Sequence, residues 1–385
     1  MPAIPYWRLA GFYFFYFAYL GAFAPYFSLY LEGTGLDAVQ IGVLMSLPQV
    51  ARIVAPNVWG WLSDRTGERL AIARWTGVAG TVAFAGVFAG RGFEWLFVVL
   101  LTMSFFWSAA LPLVDVTTLN HLRDAIARYG RIRLWGSIGF IGGVVIVGAV
   151  LDRVAITALL PIVFVIMLGM LVFTWVVPDA EVHPAAHDHL PMRAILARPA
   201  VVALIVACAL MAMAHGAYYT FYSIYLVDHG YSKAAVGWLW AVGVICEIGV
   251  FILMPRLFRA FSLEGLLITS FALATLRFVL IGWGVESLVV LVFAQTLHAA
   301  SFGAFHASAM ALVQRFFGGR HQARGQAIYG SLSFGLGGTL GALGAGVAWE
   351  VLGPAWTFTA SSAAAAVGGI LLAVWLRPGA RRRVP

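Results

Sequence analysis

Two charged residues sit where an apolar chain normally carries none. Arg52 lies inside VQIGVLMSLPQVARIVAPNVWGW, which begins at Val39, and Glu247 lies inside WAVGVICEIGVFILM, which begins at Trp240. A charge at bilayer depth costs about 2.5–3.5 kcal/mol even on the lenient insertion scale, so it persists with a partner or a task. The planar fork of arginine suits a carboxylate, which it holds through two parallel hydrogen bonds. An intramembrane glutamic acid is a candidate to take up and release a proton. At helical spacing Met45, Gln49, Arg52, Pro56 and Trp59 share one face, and Trp240 and Gly243 accompany Glu247 on another. Gln295, His298, Phe302 and His306 make a third such face, and histidine can donate to a bound anion or relay a proton.

These residues need a membrane scaffold to position them, and the composition supplies one. The 385 residues are 62% hydrophobic and 10% charged, which no soluble domain of this size tolerates on its surface. At about 20 residues per span the length accommodates roughly a dozen helices, and no strand-type alternation supports a barrel. Spans are read at 7–31, 39–63, 70–90, 93–117, 132–152 and 155–177, then at 199–227, 234–257, 263–284, 286–312, 322–349 and 354–376. The expected fold is an all-α membrane protein with twelve transmembrane helices in two six-helix pseudo-symmetric bundles. Residues 1–177 form the first bundle, 178–198 a cytoplasmic central loop, and 199–385 the second bundle with a basic tail.

The halves repeat. A shift of 195 sets GAFAPYFSLYLEGTGLDAVQIGVL from Gly21 on GAYYTFYSIYLVDHGYSKAAVGWL from Gly216, with 8 of 24 positions identical. WGSIGF from Trp135 also matches YGSLSF from Tyr329. Parallel repeats are the architecture of a transporter whose site lies between its halves. The same shift places Arg52 on Glu247. The two are expected to face a central cavity, either as a charge pair that changes partners during transport or as a structural bridge.

The net charge of +8 is a topology signal. Arg91, Arg153 and Lys233, the one lysine, fall on one side, and the remaining arginines apart from Arg52 and Arg277 fall in or beside the connections of the opposite one, which the positive-inside rule makes cytoplasmic. Both termini are therefore expected in the cytoplasm, and nucleic acid is not a partner. No cleavable leader is expected, since the chain enters a long aromatic-rich span directly. Cys208 and Cys246 read as small buried apolar groups, and His183, His187 and His189 as part of a solvated linker, so no metal site is expected. An aromatic stripe runs through Phe12, Tyr16, Tyr19, Phe23, Tyr26 and Tyr30, with Tyr218, Tyr219, Tyr222 and Tyr225 in the repeat. It either packs helices or lines a cavity for an aromatic or sugar-like solute. Asp115 is a candidate for proton coupling or for a gate contact to Arg131 or Arg133, and Arg277 reads as structural.

The turn GWLSDRTGER resembles the signature between the second and third helices of the major facilitator superfamily, with Gly60, Asp64, Arg65, Gly67 and Arg69 in the matching places and Glu68 departing from the usual basic residue. The resemblance implies that this turn is a cytoplasmic gate and does not bind substrate. Within the superfamily the chain is similar to the phenylpropionate permease family, through LPQVARIVAPNVWGWLSDRTG, YGRIRLWGSIGF, Glu247, HAASFGAFHASAM and RGQAIYGSLSFGLGG. That family is similar to proton symporters for oligosaccharides and nucleosides, and its name implies uptake of 3-phenylpropionate. The span from Val99 to Asp115 lacks the arginine of drug/proton antiporters, and 132–152 lacks their proline, which favours uptake over efflux.

The expected activity is proton-coupled import of a small organic solute by alternating access, with an aromatic carboxylate such as 3-phenylpropionate preferred. A sugar, oligosaccharide or nucleoside is the alternative, with efflux behind it. Substrate contacts are assigned to Arg52, Gln49, Tyr19, Tyr219, Tyr222, Trp240, Gln295, His298 and His306, and proton coupling to Glu247 and Asp115. The implied partners are the solute, protons and the lipid bilayer of the inner membrane. A functional monomer without a cofactor beyond the proton gradient is expected. A membrane-embedded transferase would need a catalytic cluster at one membrane face. Asp115 with His121 comes nearest to one and carries no motif.

Overall fold

A computed structural model describes residues 4–122, 125, 128–180, 193–318 and 322–376. Among these, 12 helices are long and apolar enough to cross a membrane. They are α1 (Tyr6–Gly33), α2 (Ala38–Thr66), α3 (Arg69–Phe88), α4 (Phe93–Leu122), α5 (Tyr129–Leu151) and α6 (Ile156–Val176). After the linker come α7 (Pro199–Asp228), α8 (Lys233–Ala260), α9 (Leu263–Trp283), α10 (Leu288–Phe316), α11 (Arg324–Leu352) and α12 (Pro354–Trp375). His183, His187 and His189 lie outside the described residues, as does the tail beyond Leu376.

Local chemistry sets the helix ends. Asp37 accepts from the Gln40 backbone N–H at 2.8 Å, and its own N–H donates to the Gln40 side chain at 3.2 Å, a reciprocal cap that starts α2. Gly67 ends α2 at φ 72°, a left-handed conformation that costs glycine nothing. Ser262 and Ser287 cap α9 and α10, and Pro199 and Pro354 open α7 and α12. α3 ends and α6 begins in a 3-10 turn, and four spans depart from the α-helix within their length. α4 breaks at Ser108–Ala109 and α7 at His215, while α10 and α11 contain π-helical turns at Ala299–Ala304 and Gly330–Gly337.

The helices fall into two compact units, Met1–Ala185 with Gly230–Ala241 and Ala186–His229 with Val242–Pro385. In the first, α1 crosses α5 so closely that a Cβ on Gly21 would stand 2.3 Å from the Phe140 carbonyl oxygen, and one on Gly139 2.1 Å from that of Phe14. In the second, α7 crosses α11 in the same manner, with Gly216 against Gly341 and Gly337 against Ala209. Without a hydrophobic drive between helices in lipid, close backbone approach through small residues is what holds such crossings. The repeat-related glycines Gly21 and Gly216 thus do the same work in each unit.

The division differs from a cut at the linker in one place, because the first residues of α8 go with the first unit. The cause is a set of polar contacts within that unit. The Asp152 carboxylate accepts from the backbone N–H groups of Lys233 at 2.7 Å and Ala234 at 3.0 Å, capping α8. The Tyr26 hydroxyl lies 2.7 Å from the Val144 carbonyl and 3.2 Å from that of Lys233. Partial burial works against the charge on Asp152. The Ala234 and Lys233 N–H groups, the Ser232 hydroxyl and the Lys233 charge outweigh it and hold the carboxyl below its ordinary range. A depressed folded value means that the stabilisation is complete above the ordinary carboxylate range and is lost as pH falls through the depressed one. Asp152→Ala is therefore expected to cost about 1 kcal/mol near neutral pH, as the loss of a helix cap does. Thermal unfolding of both proteins should show the gap closing in acid. A gap that persists unchanged there contradicts the cap.

Candidate functional site

In the first unit, Asp115 stands on the second segment of α4 and accepts from the Tyr13 hydroxyl at 2.5 Å and the Tyr129 hydroxyl at 3.0 Å. The Arg133 guanidinium covers the Phe17 ring at 4.0 Å and the Tyr13 ring at 5.2 Å, and its charge bears on Asp115. Of the two arginines expected near Asp115, Arg133 is the one in its field. The direct partners are tyrosines that sequence reasoning did not single out.

Arg52 is exposed, and no carboxylate of the described residues lies within salt-bridge distance of it. Its charge bears on the Tyr16 hydroxyl. Tyr16 in turn stacks on Trp107 at 5.5 Å, and Tyr19 leans on the same indole at 4.3 Å. Gln49 is half-buried one turn away from Arg52 on α2. The stripe on α1 is core: Phe12, Tyr26 and Tyr30 are fully buried, and Tyr16, Tyr19 and Phe23 nearly so. The packing reading of the stripe describes these rings as they stand, Tyr19 included.

Three of the gate residues, Gly60, Asp64 and Arg69, line a cleft of about 160 Å³ within the same unit. Pro56, Trp59, Gly60, Ser63, Asp64 and Arg69 face the break in α4 and Pro112 across it. The Trp59 indole donates to the Phe105 carbonyl at 2.9 Å, and Arg65 lies over Trp61 at 5.4 Å.

The second unit holds a buried polar cluster. Arg277 of α9 is fully buried. Its Nη1 lies 3.3 Å from the Ser301 hydroxyl and 3.5 Å from His215 Nε2, and its Nη2 donates to Gln295 Oε1 at 3.3 Å. Its guanidinium caps the Tyr218 ring at 4.2 Å, and the Tyr218 hydroxyl donates to the same Gln295 oxygen at 3.1 Å. His215 Nδ1 lies 2.8 Å from the Met211 carbonyl. Its proton therefore sits on Nδ1, leaving Nε2 to accept from Arg277 as a neutral imidazole. His298 packs against Tyr218 and brings its Nε2 to 3.6 Å from Glu247 Oε2. Gly243 of α8 allows this approach: a Cβ there would stand 3.2 Å from His298 and 3.3 Å from Gln295.

The π-helical turn explains the ring order on α10. His298, Phe302 and His306 stack in sequence with interplanar angles of 10° and 13°. Residues four apart on an α-helix drift by about 40° around the axis, and the wider π turn removes part of that drift. His306 also meets Tyr329 and Phe334 of α11. Gln295, Tyr222 and Trp240 are buried, His298 nearly so, and Tyr219 and His306 are half-buried. Arg277 has acquired specific polar partners on α7 and α10, so it is more than a packing residue. His215 and Ser301, missed in the sequence, complete its shell.

Twelve membrane-spanning helices in two repeated units, with ionisable side chains inside the spans, define a transporter of the superfamily type. The comparisons agree. The model of the MFS_1 like family matches residues 6–360, and the chain belongs to that family. It is 32% identical over 342 residues to a protein of Escherichia coli (strain K12) described as "Probable 3-phenylpropionic acid transporter", covering 86% of this chain and 87% of the relative. The maltose permease of Geobacillus stearothermophilus is 38% identical over 146 residues, 37% of each chain. Among solved structures, a mutant of the nucleoside transporter NupG superposes with a TM-score of 0.87 at 17% identity, covering 97% of this chain and 100% of that one. This protein is a polytopic membrane transporter of small molecules and not an enzyme.

Proposed function

We propose that this transporter imports a small aromatic carboxylate, of the 3-phenylpropionate type, together with a proton. It works by alternating access as a monomer in the inner membrane, with both termini in the cytoplasm and the proton gradient as its driving force. The observation that carries the coupling is the approach of Glu247 to His298 at 3.6 Å inside two membrane spans. A carboxyl group and an imidazole at that separation can hold and pass one proton. The acid reading is supported by the near full-length likeness to a 3-phenylpropionic acid transporter and by Arg52, an exposed cation without a described acidic partner. Arg52 recognises the carboxylate with Gln49 beside it, and Tyr219 and His306 are the half-buried groups of the second unit assigned to substrate. Tyr19, Tyr222, Trp240, Gln295 and His298, the other residues assigned to substrate, are buried within their own units. Asp115, between two tyrosines, is a second proton-coupling carboxylate, and Gly60, Asp64, Arg65, Gly67 and Arg69 form the cytoplasmic gate.

A sugar is the second reading, favoured by the local likeness to a maltose permease. Ligand-induced stabilisation separates the two. At a hundred times its dissociation constant a specific ligand adds about 2.7 kcal/mol to stability. Saturating 3-phenylpropionate is expected to raise the unfolding temperature of the purified protein, with maltose and uridine leaving it in place. A shift with maltose alone transfers the assignment to sugars.

A further inference from the structure

We infer that the aromatic ring of the substrate binds with its face against the ring edges of Phe302 and His306 on α10, so that this helix selects among acids by the electron density of their ring. This rests on the aromatic-acid reading above and deepens it. Phe302 becomes a specificity-determining residue, and recognition of the ring is separated from that of the carboxylate.

Phe302 is half-buried, and both of its faces are taken. The His298 ring lies 5.4 Å from it at an interplanar angle of 10°. The His306 ring, four residues further along the helix, lies 6.4 Å from it at 13°. Planar rings stacked in this way along one helix cover one another's faces and turn their edges outward. His215 meets Phe302 at 6.4 Å and 63° from the buried interior of the unit, which leaves the opposite edge of the phenyl ring open. The accessible part of Phe302 is therefore a row of C–H bonds, and the half-buried His306 continues that row. The π-helical turn Ala299–Ala304 keeps the rings parallel. Gly303 lets α8 pack on this turn, since a Cβ there would stand 3.0 Å from Glu247 Cγ. The row of edges is thus carried by a turn that a neighbouring span holds in place.

The sign of the interaction follows from the ring quadrupole, which is negative over the face and positive around the edge. An arriving aromatic ring can set its negative face on these positive edges. An edge-to-face pair strengthens binding by roughly 2- to 10-fold beyond the area it buries. A saturated ring of the same size has no such face. A perfluorinated ring has the opposite quadrupole and meets the edges with like sign. A sugar presents C–H groups of the same sign as the edges, and the aromatic faces on which it could lie are covered. A stack that only filled space would give the reverse order, because cyclohexyl and pentafluorophenyl groups are larger and more apolar than phenyl.

A ligand series tests the contact. Binding of 3-phenylpropionate, 3-cyclohexylpropionate and 3-(pentafluorophenyl)propionate to the purified protein is measured by calorimetry at a pH where all three acids are ionised. The wild type is expected to bind the phenyl acid roughly 2- to 10-fold more tightly than the cyclohexyl acid, with the pentafluorophenyl acid the weakest. F302L keeps an apolar side chain and removes the aromatic edge, and it is expected to narrow the spread to about twofold. A wild type that binds the cyclohexyl or the pentafluorophenyl acid as tightly as the phenyl acid overturns the edge-to-face contact and leaves the acid reading standing. A variant that keeps the wild-type spread overturns the role of Phe302. A wild type that binds none of the three overturns the acid reading as well. The wild-type series needs no variant, so it decides even where F302L fails to fold.

Discussion

Glu247→Gln abolishes uphill accumulation of substrate and spares exchange. Glutamine keeps the size and hydrogen-bonding capacity of the side chain 3.6 Å from His298, and it removes the group that gains and loses a proton. A carrier locked in the neutral form still binds substrate and reorients with it. Under an inward proton gradient the variant should add no gradient-driven initial uptake to that of protein-free vesicles while counterflow of preloaded substrate proceeds, since a ligand that no longer couples to the proton cannot draw on its gradient. Uptake and counterflow measured on the same vesicles give both numbers. Wild-type accumulation by the variant removes Glu247 as the proton carrier.

The second large effect is at Arg52. Hydrogen bonds to charged groups contribute about 1.5–3 kcal/mol, so Arg52→Gln should weaken a carboxylate substrate by roughly 10- to 100-fold. Arg52→Lys keeps the charge and loses the paired geometry, and should fall between that variant and the wild type. The neutral amide, 3-phenylpropionamide, reports whether the loss is specific. Arg52 lies in the first unit, on an exposed face, so its replacement should raise the KM for the acid and leave amide binding in place. Equal losses for acid and amide remove the carboxylate contact.

Helix number and the place of the turn GWLSDRTGER were legible because hydropathy and turn composition are local properties, whereas the reciprocal cap at Asp37 and the left-handed end at Gly67, though also local, were not read. Of the glycines at the α1–α5 and α7–α11 crossings only Gly21 and Gly216 show in the sequence as a repeated pair, since Gly139 aligns with Ser333 and Gly337 and Gly341 lie outside the match. The aromatic stripe on α1 could not be resolved from its pattern. In lipid both faces of a helix are apolar, so periodicity says little about which face is core. The α1 window is 72% buried and that of α6 28%, at hydropathies that would suggest the reverse order. The shell of Arg277 was hidden for another reason. His215 comes from α7, 62 residues away, and Gln295 and Ser301 from the following helix α10, 18 and 24 residues on, so none of them neighbours the arginine in the chain. Asp115 shows the same limit, since Tyr13 lies 102 residues away. The π turn of α10 leaves no mark in AASFGA, yet it lines up His298, Phe302 and His306.

The most direct test of proton-coupled acid import is uptake of labelled 3-phenylpropionate by proteoliposomes, with and without an imposed inward proton gradient. Protein-free vesicles run in parallel, because a weak acid also crosses lipid in its neutral form. Initial uptake that is faster than the protein-free control, and that loses this excess when the gradient is removed, is the predicted result. Uptake equal to the control at every gradient contradicts it.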